Sequence, residues 1–268
     1  MRRFSDVFHP VRDIKQVATI MAERPYQEVS NRFSFIPTIK PIEVLADFGW
    51  HPVAIAEQRV RLADKRGFQR HAVKFQNPAY THDLQLHETR PELVMINDHS
   101  GLTAFQFLLG LWEKVCINGL IVQRDSIAEQ RVLHRGYTAD KVANAIATMI
   151  PAIPQLLADV DRMRDIKLLP GEANAFAKAA IELRWDGEKY AVNPQAVAYP
   201  LRREQKEDSL WNVYNTVQEK ILRGGVYIQN LETKNVQKAR SVNGLTENLR
   251  LNKALFTLAD EMAKLKSN

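Results

Sequence analysis

The spacing of apolar residues changes character near residue 140. Before that point they come in short alternating or continuous runs, and after it they recur every three or four residues. Residues 12 to 24 read as a short helix closed by Pro25. Phe33-Ser34-Phe35-Ile36-Pro37 alternates like a strand, and Ile42, Leu45, Ala46 and Phe48 mark a short helix stopped at Gly49. Pro52 to Leu62 and Phe68 to Gln76 are extended runs around Ala63-Asp64-Lys65-Arg66-Gly67, whose composition suits a hairpin turn. A third run, Glu92 to Ile96, leads into Asn97-Asp98-His99-Ser100-Gly101, residues that commonly cap helices. Leu102 to Lys114 is then predicted to be a helix, apolar on nearly every side and therefore buried. Val115-Cys116-Ile117 and Leu120-Ile121-Val122 flank Asn118-Gly119, a dipeptide suited to a type I′ hairpin.

Residues 30 to 124 are thus expected to form an antiparallel sheet packed on one buried helix, in the order β-β-β-α followed by a β-hairpin. From Asp140 a helical stripe carries Val142, Ala145, Ile146, Met149, Ile153, Leu156, Leu157 and Val160, with Pro151 and Pro154 placed to kink or split it. Further helices are predicted over 172 to 183, from a Ser209 cap to Gly224-Gly225, and over 247 to 266. Residues 188 to 208, with Pro194 and Pro200, read as an extended connector. The fold class is α+β with a mostly helical C-terminal half. Its expected divisions are a helical arm at 1–29, an α+β core at 30–135 and a mainly helical region at 136–268.

Composition narrows the function classes. The chain has 268 residues, 45% hydrophobic and 25% charged, values of an ordinary globular protein, so bulk disorder is excluded. Lys and Arg number 37 against 31 Asp and Glu, a net charge of +6, which excludes an acidic mimic of DNA and leans toward polyanionic partners. A single cysteine, Cys116, allows no internal disulfide and no CxxC motif. The basic N-terminus lacks the apolar run of a signal peptide, and Phe105 to Trp112 is too short to span a bilayer. A cytoplasmic location, in a bacterial host cell, is the expectation, with no membrane partner.

The densest charge lies between residues 57 and 76. Arg59, Arg61, Lys65, Arg66, Arg70 and Lys74 stand against only Glu57 and Asp64. Alternation places Arg59 with Arg61, and Arg70 with Lys74, so that a row of cations would track a phosphate backbone while Val60 and Val73 turn to the core. Phe68 at the turn is a candidate for stacking on a base. The competing reading is a solvated outer face of the sheet. A second basic group includes Arg202, Arg203 and Arg223, the last followed by Gly224-Gly225, which suits either an anion-binding backbone or a helix C-cap.

Other constellations carry less. Asn97, Asp98, His99 and Ser100 would serve a Cys-His or Ser-His pair with Cys116 or His134, yet all four are good turn residues. His82, Asp83, His87 and Glu88 match no metal-ligand spacing, and Asp159, Asp161, Asp165 and Lys167 lie on a predicted helix. No Gly-Lys dipeptide occurs, so a Walker A loop is absent. Neither a metal, a cofactor nor a catalytic residue is expected.

The strings Ile96 to Gly101 and Val115 to Leu120, with Gly67 to His71, Leu210-Trp211, Gln218-Glu219 and Arg223 to Gly225, resemble a phage- and plasmid-borne family known only as domain of unknown function number nine-three-two. The resemblance spans roughly residues 30 to 260 and implies a mobile-element origin, with no established catalytic residue. At the level of topology alone the chain is also similar to phage single-strand annealing proteins. The expectation is therefore a non-enzymatic, nucleic-acid-binding homo-oligomer that anneals single strands without ATP. The alternative is an accessory protein, for instance in counter-defence, that binds an acidic host protein through the same cations.

Overall fold

The computed structural model describes residues 8–26, 34–80, 89–113, 119–121, 129–132, 139–200 and 207–267. Two compact units emerge, one gathering Ser5–Val115 and Ile121–Ile153, the other chiefly Pro154–Asn268.

Among the described residues the first unit is an antiparallel sheet with two α-helices. Its strands are β1 (His9–Pro10), β2 (His51–Glu57), β3 (His71–Gln76), β4 (Thr89–Asn97), β5 (Phe105–Glu113), β6 (Gly119–Ile121) and β7 (Glu129–Val132). The order is β1-β2-β3-β4-β5-β6, with β7 also on β5. Glu57 opposes His71 and His71 opposes Asn97, so alternate residues His71, Val73 and Phe75 share one face with Leu93, Met95 and Asn97. Helix α1 (Ile39–Asp47) begins at Thr38, which bonds both His71 and Asn97, and α2 (Ala139–Met149) touches α1 and β5. Between them lie Ile42, Leu45, Val73, Phe75, Met95, Phe107, Val142, Ile146 and Met149, all buried.

The segment 105–113 is a strand, not the buried helix its composition suggests. Phe105, Phe107, Leu108 and Leu109 are all buried, so both faces of the strand are covered and the sequence shows no alternation. A continuous apolar run of this kind has no period that separates strand from helix. Residues 98 to 103 form the turn of a β4–β5 hairpin, with Gly101 at φ +74°, rather than a helix cap. The helix expected over 12 to 24 is likewise reduced to one 3-10 turn, Ile14–Gln16, because Val17 is extended. Phe35 to Pro37 has no strand pairing. The Asn118-Gly119 turn, Cys116 and His134 fall outside the described residues, apart from Gly119, which opens β6.

The second unit is mostly helical, as its period indicates. The prolines end α2 and place a 3-10 turn, Ile150–Ala152, before α3 (Ile153–Asp165). Asp140–Asp165 is apolar and long enough to cross a membrane by composition alone, but Val142, Ile146, Met149, Ile153, Leu156, Val160 and Met163 are buried in the protein. Then come α4 (Pro170–Glu182), α5 (Pro194–Ala198), α6 (Leu210–Arg223) and α7 (Leu245–Ser267), with a small sheet in the order β10 (Val236–Lys238), β9 (Tyr227–Asn230), β8 (Tyr190–Val192). Much of the expected extended connector is thus structured, since Asn193 caps α5 by accepting from Gln195 N. Helix α6 is buried nearly all round, its Tyr214 packed edge-on against Phe256 of α7 and its Gln218 donating to Asn252 at 2.7 Å.

Ser209 caps α6, its buried hydroxyl accepting from Asn212 N at 3.3 Å. Ser209→Ala is expected to cost about 1 kcal/mol, and Ser209→Gly only a few tenths. Hydrogen exchange of the first-turn amides of α6 checks this, and equal exchange in the alanine variant and wild type would refute it.

Candidate nucleic-acid interface

The connection from β2 to β3 runs from residue 58 to 70 and is more than a turn. Gln58 N donates to Arg70 O at 2.8 Å, closing its base. Inside, Lys65 N donates to Leu62 O and Arg66 N to Ala63 O, a 3-10 turn, and Gly67 continues it at φ +90°. Tyr26 braces the loop from outside. Its hydroxyl donates to Asp64 Oδ2 at 2.7 Å, its ring lies 5.9 Å from that of Phe68, and the Lys65 ammonium sits 5.2 Å above it. The only acid in the loop is therefore already engaged. Arg59, Arg61 and Arg66 are exposed and have no hydrogen bond or ion pair among the described residues.

The remaining predicted residues divide. Phe68 is half-buried against Tyr26, and Val60 is half-exposed in the loop rather than turned into the sheet. Arg70 is half-buried, and burial lowers its pKa from the ordinary value while Asp98 opposes the shift. Lys74 does not join an outward row of cations. It is buried, 3.5 Å from Glu92 and 4.5 Å from the centre of the Phe8 ring, because β3 is a central strand covered on both faces. Arg202 and Arg203 lie outside the described residues. Arg223 pairs with Glu219 at 3.0 Å. Gly224 N donates to Lys220 O, and Gly225 N to Ala239 O, so both amides are used within the fold and the pair is a helix C-cap.

The metal candidates also resolve. His82, Asp83, His87 and Glu88 are outside the described residues. Asp159 accepts from Gln155 Nε2 at 3.3 Å and lies 3.9 Å from Arg162, Asp161 holds Arg164 at 3.1 Å, and Lys167 pairs with Asp208 at 3.1 Å. Among the described residues no three ligand side chains gather.

Directly beneath the loop is a buried polar cluster that no local motif announces. His71 Nδ1 lies 2.9 Å from Gln69 O and so carries a proton. Thr38 Oγ1, 2.8 Å from His71 Nε2, donates to it, while accepting from Asn97 Nδ2 at 2.9 Å. His99 Nε2 faces Thr19 O at 2.7 Å and Thr38 Oγ1 at 3.2 Å, a donor shared between two acceptors. This pattern requires a neutral His71, and burial, with His99 nearby, lowers its pKa to about 3. Next to it, the Asp98 carboxylate accepts from Ser100 N, Ser100 Oγ and Thr103 Oγ1. Asp98 and Ser100 thus hold the turn, Asn97 and His99 tie it to Thr38 and Thr19, and the Cys116 and His134 partners considered for a catalytic pair lie outside the described residues. Thr38, Tyr26 and Leu62 escape a reading of the sequence, although a lone leucine in a polar loop was a visible signal.

The comparisons give the chain its place. Residues 25–256 match the family described as Domain of unknown function (DUF932), and the chain belongs to it. Two Escherichia coli (strain K12) proteins, UPF0380 protein YafZ and UPF0380 protein YfjQ, are each 27% identical over 246 residues, covering 92% of this chain and 88% of the relative. No solved structure matches significantly.

Proposed function

We propose that the chain is a non-enzymatic nucleic-acid-binding protein of a mobile element, which holds single strands by their phosphates and serves ATP-independent annealing as a homo-oligomer in the cytoplasm of a bacterial host. The observation that carries this reading is the loop from 58 to 70, where Arg59, Arg61 and Arg66 are exposed without partners among the described residues and Asp64 is already bonded to Tyr26. Guanidinium groups in that state release counterions when they meet phosphates and lose few internal bonds in doing so. The annealing step needs no catalytic residue, only a strand held with its base edges free.

The test is a salt titration of single-strand binding. Arg59→Ala, Arg61→Ala and Arg66→Ala combined remove three contacts, and the slope of log affinity against log salt is expected to flatten by about 2, at ~0.7 per phosphate on a single strand. Lys74→Met has no place in that slope, because the ammonium is buried against Glu92. An unchanged slope in the triple variant would remove the loop from binding and transfer the cations to an acidic protein partner.

A further inference from the structure

Two leucines stand out in water at the end of the sheet that carries the basic loop. Glu57 opposes His71, His71 opposes Asn97, and Ile96 opposes Gln106, so the connections 58 to 70 and 98 to 104 leave the sheet from the same end. The interaction of Asp98 with Arg70 agrees with that placement. Leu62 is 56% exposed and Leu102 is 80% exposed. Both sit on ordered backbone. Leu62 opens the 3-10 turn through its carbonyl, and Leu102 follows Gly101, at φ +74°, in the turn that Asp98 ties together with bonds from Ser100 and Thr103. Scattered exposed leucines are common. Two of them on these turns, at the end that also bears three arginines exposed and unpaired among the described residues, put apolar points beside a cationic loop.

We propose that Leu62 and Leu102 are wedges that enter between neighbouring bases while Arg59, Arg61 and Arg66 hold the flanking phosphates. Inserting an apolar side chain into a base step costs unstacking, which is large in a continuous duplex and small where bases are already free or ends fray. The site therefore selects single strands, gaps and frayed ends over intact duplex. That three of the exposed cations of the loop are arginines fits this partner, since the planar group bonds phosphate through two donors and also stacks on bases. A bilayer is the less suited occupant, because two leucines supply less apolar chain than stable anchoring takes. The inference rests on the nucleic-acid reading above, but the two fail separately.

The experiment uses the full chain with Leu62→Ser/Leu102→Ser, whose side chains are exposed in the folded state. The probe is 2-aminopurine placed within a single strand and within a gapped duplex. Wild-type protein at saturation is expected to raise the fluorescence of the probe several-fold and to favour gapped over continuous duplex. The double variant should leave the fluorescence near that of free DNA and bring the two duplexes close to parity, with an unaltered salt slope. An equal fluorescence rise in the variant, or none with wild type while the arginine-dependent slope persists, overturns the wedge alone. Absence of any binding to nucleic acid overturns both readings. Leucine-dependent sedimentation with phosphatidylglycerol-containing vesicles, without a change in the probe, replaces the wedge by a membrane contact.

Discussion

Glu92→Ala is expected to destabilise the sheet unit by about 3–5 kcal/mol, because it leaves the Lys74 ammonium buried against the Phe8 ring without its carboxylate. The same change takes the acceptor from Gln76 Nε2, which donates to Glu92 Oε1 at 3.0 Å. Hydrogen exchange of β3 and β4 amides is the suitable measurement, since it reports this unit and not the helical one, and exchange should speed up by two to four orders of magnitude. The double change Lys74→Met/Glu92→Leu is expected to recover most of the loss, as apolar replacements of a buried ion pair often do. A Glu92→Ala variant that exchanges like wild type would mean that water reaches the pair.

Acid should weaken the same unit through His71. Its folded pKa, about 3, lies below the ordinary 6.5, so the unfolded chain takes up the proton first. The contribution of neutral His71 is complete above pH 6.5 and is lost as the pH falls from 6.5 toward 3. At about 1.4 kcal/mol per unit, the loss between pH 6.5 and 5 is roughly 2 kcal/mol. The bonding pattern gives the reason: a proton on Nε2 would compete for Thr38 Oγ1 and leave the threonine hydroxyl without an acceptor in the cluster. Stability measured from pH 7 to pH 5 should fall steeply in wild type and less in His71→Gln. Parallel slopes would show that another group controls the acid response.

Helices were legible where period and punctuation agree. Gly49 closes the turn after α1, Pro151 and Pro154 separate α2 from α3, and Ser209 with Gly224 brackets α6. The β2–β3 hairpin was legible from its turn residues, though its strands are shorter than the apolar runs and leave Arg59 and Arg61 in the loop. What failed was the use of alternation in the centre of the sheet. With both faces covered, an inward position is no longer marked by its neighbours, and this misplaced both Lys74 and the whole of 105–113. The polar cluster was invisible for a different reason: His71 is 33 residues from Thr38, and His99 is 61. Only folding makes such a set. The exposed arginines needed no partner to be recognised, so local composition sufficed for them.

The borders of the sheet set a rule for how copies of the chain can associate. On one side the outermost strand is β1, two residues long and ending in Pro10, which lacks an amide hydrogen. On the other, the long flank of β5 is divided between β6 and β7, of three and four residues. Among the described residues neither border of this sheet offers a long row of free backbone donors and acceptors, the feature that lets strands recruit strands from other molecules. Filament growth by endless sheet extension is thereby discouraged. Copies meeting at these two borders would do so through side-chain surfaces, and could separate without breaking a continuous backbone ladder.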